Sequence, residues 1–257
     1  MDLLPAVNNM SRVCVCGARA RVCGSAARGS SASPGACWAG VVAHYPGHIR
    51  LSYLDHPFWR GECLRISLAM SGMPFSDDRL DWNALCAKGW YPGCMPVLEA
   101  DGKLIGMQPD IAAYVGKLTG YYPGDAAGEE AFGLVMAVLT EVTDALTGIQ
   151  ERDPGRKIVM RGALIAPYGQ VGHALMQLER LLSQKASSAP PFLAGEAFTV
   201  ADLAAWRACG WLSSGILDGV PTDYVAKQFP ALYAHHCRIS QMPGVEAWMR
   251  AHPQHYK

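Results

Sequence analysis

Tyr53 ends a predicted strand just before a predicted helix, a position where a polar side chain could do chemistry. A phenolic O–H at such a position can donate a hydrogen bond to a sulfur anion. That charge-assisted bond favours a thiolate over a thiol and so lowers the pKa of the thiol. The N-terminus of the following helix adds a modest positive potential there. On sequence alone, however, a tyrosine at a strand end most often only packs, so the position by itself does not assign Tyr53 this role.

His235, His236 and Cys237 are the residues whose types suggest a metal site. Adjacent residues on a helix point in different directions, and no third ligand lies at a useful spacing. The nine cysteines, at positions 14, 16, 23, 37, 63, 86, 94, 209 and 237, form no paired C-x-x-C motif. We therefore expect no metal, no disulfide framework and a reducing compartment.

A compact α/β unit is predicted to position Tyr53. Ile49, Leu51 and Tyr53 alternate with polar residues, which is typical of a half-buried strand. The apolar residues of the range 62–73 then lie at helical intervals, which predicts a helix. A second, short strand is predicted to start at Pro74-Phe75 and to run toward Leu80. Asp101-Gly102 is a strong two-residue turn signal that predicts a hairpin of residues 96–100 and 103–107. A helix over residues 110–118 ends at Gly120.

The second half of the chain is predicted to be helical. Residues 129–150 form one long apolar helix, which Asp153-Pro154-Gly155 should end, and residues 171–182 carry another apolar stripe. Residues 186–191 are predicted as a loop. Thr199-Val200-Ala201-Asp202 has the pattern of a capping box, which predicts the start of a buried helix. Pro243 opens the last of about five helices.

The composition limits the class of protein. Half of the 257 residues are hydrophobic, and 22 basic side chains balance 22 acidic ones. A neutral chain lacks the basic surface on which binding to nucleic acid or acidic membranes depends. The best apolar run, Ala131 to Leu139, is about half of the roughly 18 residues needed to span a bilayer. We expect a soluble protein with a large core and no nucleic-acid or membrane partner.

Residues 1–45 differ in composition from the rest of the chain. They contain four arginines and one acidic residue, Asp2, and are rich in Ser, Ala, Gly and Cys. This composition is typical of a mitochondrial or plastid transit peptide, and a disordered extension is the alternative. We exclude the segment from the fold. The expected location is cytoplasmic, or plastid or mitochondrial if the segment is a transit peptide.

Several motifs together resemble the cytosolic glutathione S-transferases. They are Gly93-Cys94-Met95-Pro96-Val97-Leu98-Glu99, Asp101-Gly102, Gln108 with Ile111 and Tyr114, Phe192-Leu193-Ala194-Gly195, and Thr199-Val200-Ala201-Asp202-Leu203. Arg50-Leu51-Ser52-Tyr53, followed by Arg60-Gly61-Glu62 and Arg65, is most similar to the tyrosine-type, sigma-like group. The resemblance implies an α/β, thioredoxin-like N-terminal domain (residues 46–124), an all-helical C-terminal domain (residues 128–257) and a homodimer.

The resemblance also implies roles for single residues. Tyr53 would be the catalytic residue, stabilising the thiolate of glutathione, which is the co-substrate. The Met95-Pro96 bond would be cis, which leaves the Met95 backbone free to pair with the cysteinyl part of glutathione. Gln108 would bind the γ-glutamyl end and Trp82 the glycyl carboxylate. Arg60, Lys88 and Pro109 complete the candidate glutathione-binding residues.

Two departures from the family pattern affect this assignment. Pro109 stands where a serine is typical, and proline removes both the backbone N–H and the hydroxyl that would hold the γ-glutamyl carboxylate. His56-Pro57-Phe58 is similar to the Ser-Pro-Phe or Cys-Pro-Phe of the serine-type and cysteine-type classes, and the chain has an extra residue between Tyr53 and Glu62. His56 is therefore an alternative to Tyr53 as the partner of the thiolate.

Two functions follow from the resemblance. The first is a glutathione transferase that conjugates the thiolate to small electrophiles, or isomerises or reduces them, in detoxification. The second is a catalytically silent member that acts as a binding or interaction protein, which Pro109 favours. Tyr53, Met95-Pro96 and Gln108 occur together in the expected order, which favours the enzyme. The electrophile leaves no motif in the sequence.

Overall fold

The computed structural model describes residues 46–88, 95–184 and 191–256. The predicted targeting segment, residues 1–45, lies outside the described residues. The same holds for residues 89–94, which include Cys94, and for most of the loop predicted after the second long apolar helix.

The first part of the described chain is an α/β unit. Its elements are β1 (Ile49–Leu54), α1 (Trp59–Met70), β2 (Ser76–Leu80), α2 (Trp82–Ala87), β3 (Val97–Ala100), β4 (Lys103–Ile105) and α3 (Gln108–Thr119). The strands form one sheet in the order β2-β1-β3-β4. β1 runs parallel to β2 and antiparallel to β3, and β4 runs antiparallel to β3. The α/β prediction is confirmed.

The apolar side chains of β1 are buried, which places the sheet in the core. Ile49, Leu51 and Tyr53 alternate along β1 and are at most 1% exposed. The turn between β3 and β4 has positive φ at both Asp101 (48°) and Gly102 (77°). This is the backbone that a two-residue hairpin needs, because its twist matches that of the strands. The hairpin was therefore predictable from two residues.

The second part of the described chain is helical, as predicted. It contains α4 (Ala126–Thr147), α5 (Pro154–Ile165), α6 (Gln170–Ser183), α7 (Val200–Leu212), α8 (Tyr224–Gln228), α9 (Pro230–Ser240) and α10 (Pro243–Ala251). Side-chain caps begin α4 and α5, where Asp125 and Asp153 accept from backbone amides. The predicted capping box begins α7, where the Thr199 N–H donates to the Asp202 carboxylate at 2.8 Å. None of the helices in the described ranges is long and apolar enough to cross a membrane.

Several predicted boundaries were wrong, including those of the long apolar helix, which spans Ala126–Thr147 rather than residues 129–150. α1 begins at Trp59 and ends at Met70, before Gly72, which has φ 70°. α3 begins at Gln108 rather than Asp110, because Pro109 is tolerated in the first helical turn. Asp153-Pro154-Gly155 was predicted to break a helix, and it begins α5. Asp153 is the N-cap and Pro154 the first helical residue, where a missing N–H costs nothing.

The two parts pack against each other through α1. This helix contacts α7 and α3, and α4 is joined to it by a hydrogen bond from the Trp59 indole N–H to the Thr143 hydroxyl at 2.9 Å. Trp59 and Thr143 are both buried. Buried residues of both parts form one continuous core. The end of β1 and the start of α1 therefore lie at the junction of the two parts.

Candidate active site

Tyr53 lies at the end of β1 with its ring against the backbone of α1. A Cβ added at Gly61 would lie 2.4 Å from a ring carbon of Tyr53, so only glycine fits there. Burial raises the pKa of Tyr53 to about 12, while the positive charges of Arg60 and Arg65 act in the opposite direction. The phenol is therefore protonated at neutral pH. It is a hydrogen-bond donor and not a base.

Arg60 lies in the first turn of α1 and faces α4. Its Nη2 donates to the Asp144 carboxylate at 3.0 Å, and its guanidinium lies 5.6 Å from the centre of the Trp59 ring. Arg60 is 8% exposed, and its buried Nε has no hydrogen-bond partner among the described residues. Asp144, from the helical part, was not predicted as part of a site. No local pattern connects residues 84 positions apart.

Gln108 is the first residue of α3 and follows Met107, which has φ 64°. Its amide nitrogen contacts the buried sulfur of Cys63 at 3.7 Å. Its carbonyl oxygen is buried and has no hydrogen-bond donor among the described residues. Burial raises the pKa of the Cys63 thiol, which is therefore neutral. Because buried carbonyl oxygens are nearly always bonded, the free Gln108 oxygen marks a position for a donor.

The start of α3 also has backbone amides without a partner inside the helix. The first amide bonded within the helix is that of Ile111, which donates to the Met107 carbonyl. The preceding residues have no partner in the helix, as at any helix N-terminus. Pro109, exposed and second in the helix, supplies no N–H. The donors that α3 offers to an anion are therefore the amides of Gln108 and Asp110.

The other candidate residues lie around β3 and α2. The Met95-Pro96 bond is cis, and both residues are buried where the chain enters β3. Trp82 is the half-buried first residue of α2. The ammonium of Lys88 lies 3.5 Å from the Asp78 carboxylate on β2. The structure thus brings Tyr53, Arg60 and Gln108 to one region, and it places Lys88 next to β2.

His56 lies in the β1–α1 loop (residues 55–58). Burial and the nearby charges of Arg207 and His255 lower its pKa, so the imidazole is neutral at neutral pH. The ring lies parallel to that of Phe58 at 6.3 Å. His56 can still donate one N–H to an anion, and it stays an alternative to Tyr53.

His235 has a structural partner. Its Nε2 lies 2.9 Å from the Asp202 carboxylate, which also accepts from the Leu193 amide at 2.8 Å. Within the described ranges, no group of three or more His, Cys, Asp or Glu side chains is arranged to hold a metal ion.

Comparisons with known proteins agree with this arrangement. The family model of the glutathione S-transferase C-terminal domain matches residues 169–252. Glutathione S-transferase 1 of Ascaris suum is 28% identical over 204 residues, which are 76% of this chain and 92% of that protein. The hematopoietic prostaglandin D synthase of Gallus gallus is 26% identical over 199 residues, with the same coverages. The solved structure of prostaglandin synthase D of Nilaparvata lugens has a TM-score of 0.67 at 19% identity and covers 80% of this chain and 98% of that one.

The fold is that of the glutathione S-transferases, with a small mixed sheet followed by a helical domain. The matched C-terminal domain and the two relatives extend this likeness to the sequence. The chain is therefore similar to the glutathione S-transferases in its fold and, at 26–28% identity to the two relatives, in its sequence.

Proposed function

We propose that this protein is a tyrosine-type, sigma-like glutathione transferase. It conjugates the thiolate of glutathione to small electrophiles, or isomerises or reduces them with glutathione, in detoxification. The relatives named glutathione S-transferase and prostaglandin D synthase support both conjugation and isomerisation. The functional units are residues 46–124, which bind glutathione, and residues 128–257, which line the electrophile site. Residues 1–45 serve as a transit peptide or extension, which leaves the location cytoplasmic, plastid or mitochondrial.

The observation that carries the proposal is the position of Tyr53. Its phenol is kept protonated at the end of β1, near Arg60, Arg65 and Cys63 of α1. The free Gln108 oxygen accepts from the α-ammonium group of the γ-glutamyl end. The amides of Gln108 and Asp110 receive the adjacent carboxylate. The backbone of Met95, held by the cis bond, pairs with the cysteinyl part, while Trp82, Lys88 and Arg60 bind the rest of the tripeptide.

The conjugation reaction then has two steps: the thiol of glutathione loses its proton, and the sulfur lone pair forms a bond to the electrophile. The Tyr53 hydroxyl donates to the glutathione sulfur, which lowers the pKa of the thiol, and the thiol proton leaves to solvent. The sulfur lone pair attacks the electrophilic carbon and forms the C–S bond. A leaving group departs with its bonding electrons, or an unsaturated substrate takes up a proton. Asp144, which accepts a hydrogen bond from Arg60, lies where α4 faces this region, so it borders the electrophile site.

A homodimer is the second part of the proposal. Leu104 on β4 and Met107 before α3 are 62% and 56% exposed. Exposed large apolar residues close together favour contact with a partner. A second copy of the chain would cover them.

The test is capture on immobilised glutathione, followed by conjugation to a panel of activated aryl halides and unsaturated carbonyls. The ultraviolet absorbance of bound thiolate, titrated against pH, measures the pKa of the thiol. S-methylglutathione, which cannot ionise at sulfur, is the matched control ligand. A transferase lowers the thiol pKa by about two units or more and turns over at least one electrophile. Glutathione binding without a thiolate signal would support the catalytically silent alternative, which the missing N–H of Pro109 favours.

A further inference from the structure

The segment that follows α10, residues 252–256, reaches back to α1. The Tyr256 hydroxyl donates to the carboxylate of Glu62, which is completely buried. The same carboxylate accepts from the Trp248 indole at 2.8 Å and from Arg65 at 3.2 Å. A buried carboxylate is expensive unless donors surround it, so each of these donors matters to its position.

Two arginines connect this cluster to the backbone at the end of β1 and in the β1–α1 loop. Arg65 donates to the Leu54 carbonyl at 3.1 Å and reaches the carbonyl of His56 at 3.5 Å. Arg207 of α7 donates to the carbonyl of Pro57 at 2.7 Å. Its guanidinium lies 5.2 Å from the centre of the Tyr256 ring. Tyr256 thus supports Arg65 through Glu62 and Arg207 through its ring.

His255 holds the other side of the loop. Its Nε2 lies 3.3 Å from the Asp55 carboxylate and 3.2 Å from Arg79. Arg79 also donates to Asp55 at 3.0 Å. The carbonyls of residues 54, 56 and 57 and the side chain of Asp55 are therefore all held by groups that contact His255 or Tyr256 directly or through one residue.

We propose that His255 and Tyr256 are positioning residues, which fix the β1–α1 loop and with it the group that stabilises the glutathione thiolate. This inference rests on the proposed function for its catalytic consequence. Tyr53 is separated from the loop only by Leu54, and His56 lies within it. Either group must stand within a few tenths of an ångström of the sulfur, because catalytic donors lose effect steeply with displacement. Helices α1 and α7 supply the anchoring arginines, and the 252–256 segment keeps those arginines in place.

The main variant is Tyr256→Phe, which removes one hydroxyl and keeps the ring against Arg207. The second variant, His255→Ala, acts on the Asp55 side. Tyr224→Phe is the matched control. The Tyr224 hydroxyl also makes one hydrogen bond, to the carbonyl of the partly buried Ile165 at 2.8 Å, but it lies between α8 and α5. Three properties are measured on the full chain: melting temperature, hydrogen exchange of the amides of residues 54–62, and the pH profile of glutathione thiolate absorbance with kcat and KM.

We expect Tyr256→Phe and His255→Ala to speed exchange of the loop amides. They should raise the bound thiol's pKa by about half a unit to one unit and lower kcat by about tenfold, with KM for glutathione within about twofold. Tyr224→Phe should lower the melting temperature similarly and leave exchange and the pH profile unchanged. Equal effects of all three variants, or unchanged loop exchange in both test variants, overturn the inference. If the wild-type protein shows no thiolate but Tyr256→Phe still speeds loop exchange selectively, the proposed function fails while the positioning of the loop stands.

Discussion

At the scale of single residues, the proposed chemistry depends on one hydrogen-bond donor beside the sulfur atom of glutathione. A raised pKa suits Tyr53 to that role, since a phenol that ionised near neutral pH would repel the thiolate instead of stabilising it. A neutral His56 can also donate a hydrogen bond. Its imidazole lies near Arg207 and His255, whose charges help to lower its pKa. Substitutions at Tyr53 and at His56 therefore distinguish which of the two residues stabilises the thiolate.

Changing Tyr53 to phenylalanine removes the donor and keeps the packing against Gly61. We expect turnover to fall by about a hundredfold, which is the scale of losing one positioned donor, and glutathione affinity to change little. Steady-state kinetics and calorimetric titration measure the two quantities. His56→Ala is the matched comparison. If turnover is retained in Tyr53→Phe and lost in His56→Ala, the residue that stabilises the thiolate is His56.

We propose that Pro109 limits the affinity of the start of α3 for the γ-glutamyl carboxylate. Pro109→Ala restores one backbone N–H, and Pro109→Ser restores the N–H and adds a hydroxyl. A hydrogen bond to a charged group contributes about 1.5–3 kcal/mol, so the serine variant should bind glutathione about tenfold more tightly or better. The alanine variant should lie between the serine variant and the wild type. Calorimetry that finds three equal affinities would mean that the γ-glutamyl carboxylate binds elsewhere.

At the scale of elements, local signals determined what the sequence could predict. The hairpin at Asp101-Gly102 and the capping box at Thr199 were predictable because a few adjacent residues specify each of them. α5 was missed because its apolar residues do not follow a buried stripe. Ile158, Val159 and Met160 are all at least 44% exposed. A helix that packs few apolar residues leaves only its Asp153-Pro154 start as a signal.

The start of α7 is held by a single carboxylate. Asp202 is completely buried. Its carboxylate accepts hydrogen bonds from the backbone amides of Leu193 and Thr199 and lies 2.9 Å from Nε2 of His235. Asp202→Ala leaves these donors buried without a partner, so it should cost about 3 kcal/mol or more of unfolding free energy. Asp223→Ala, which breaks an exposed pair with Lys227, should cost less than about 1 kcal/mol. Denaturant titration compares them, and equal costs would contradict the role of Asp202.

At the scale of the whole molecule, the contacts that complete the candidate site join distant parts of the chain. Arg60 meets Asp144, Arg207 meets the Pro57 carbonyl, and Tyr256 meets Glu62. The family resemblance could suggest Tyr53, Arg60 and Gln108 because each lies in a short motif. It could not suggest their long-range partners, since pairing between residues so far apart leaves no periodic or local trace.

The first 45 residues are predicted to contribute nothing to the fold. An Arg- and Ser-rich segment with one acidic residue has little to bury, so its removal should leave the melting temperature and the oligomeric state unchanged. Calorimetry and sedimentation of the full chain and of residues 46–257 make the comparison. A drop of several degrees on truncation would show that the segment packs against the rest of the protein.

The α/β and helical parts should unfold together, because α1 joins them. Trp59→Phe removes the buried hydrogen bond to Thr143 while keeping an aromatic ring, and should cost about 1–3 kcal/mol. Asp144→Asn weakens a pair whose acidic side is 58% exposed, and should cost less than about 1 kcal/mol. Both variants should still melt in one transition by calorimetry and circular dichroism. Because the core is continuous across the junction, weakening one contact should lower the stability of both parts equally. Two separate transitions in Trp59→Phe would mean that the indole bond, rather than the shared core, couples the two parts.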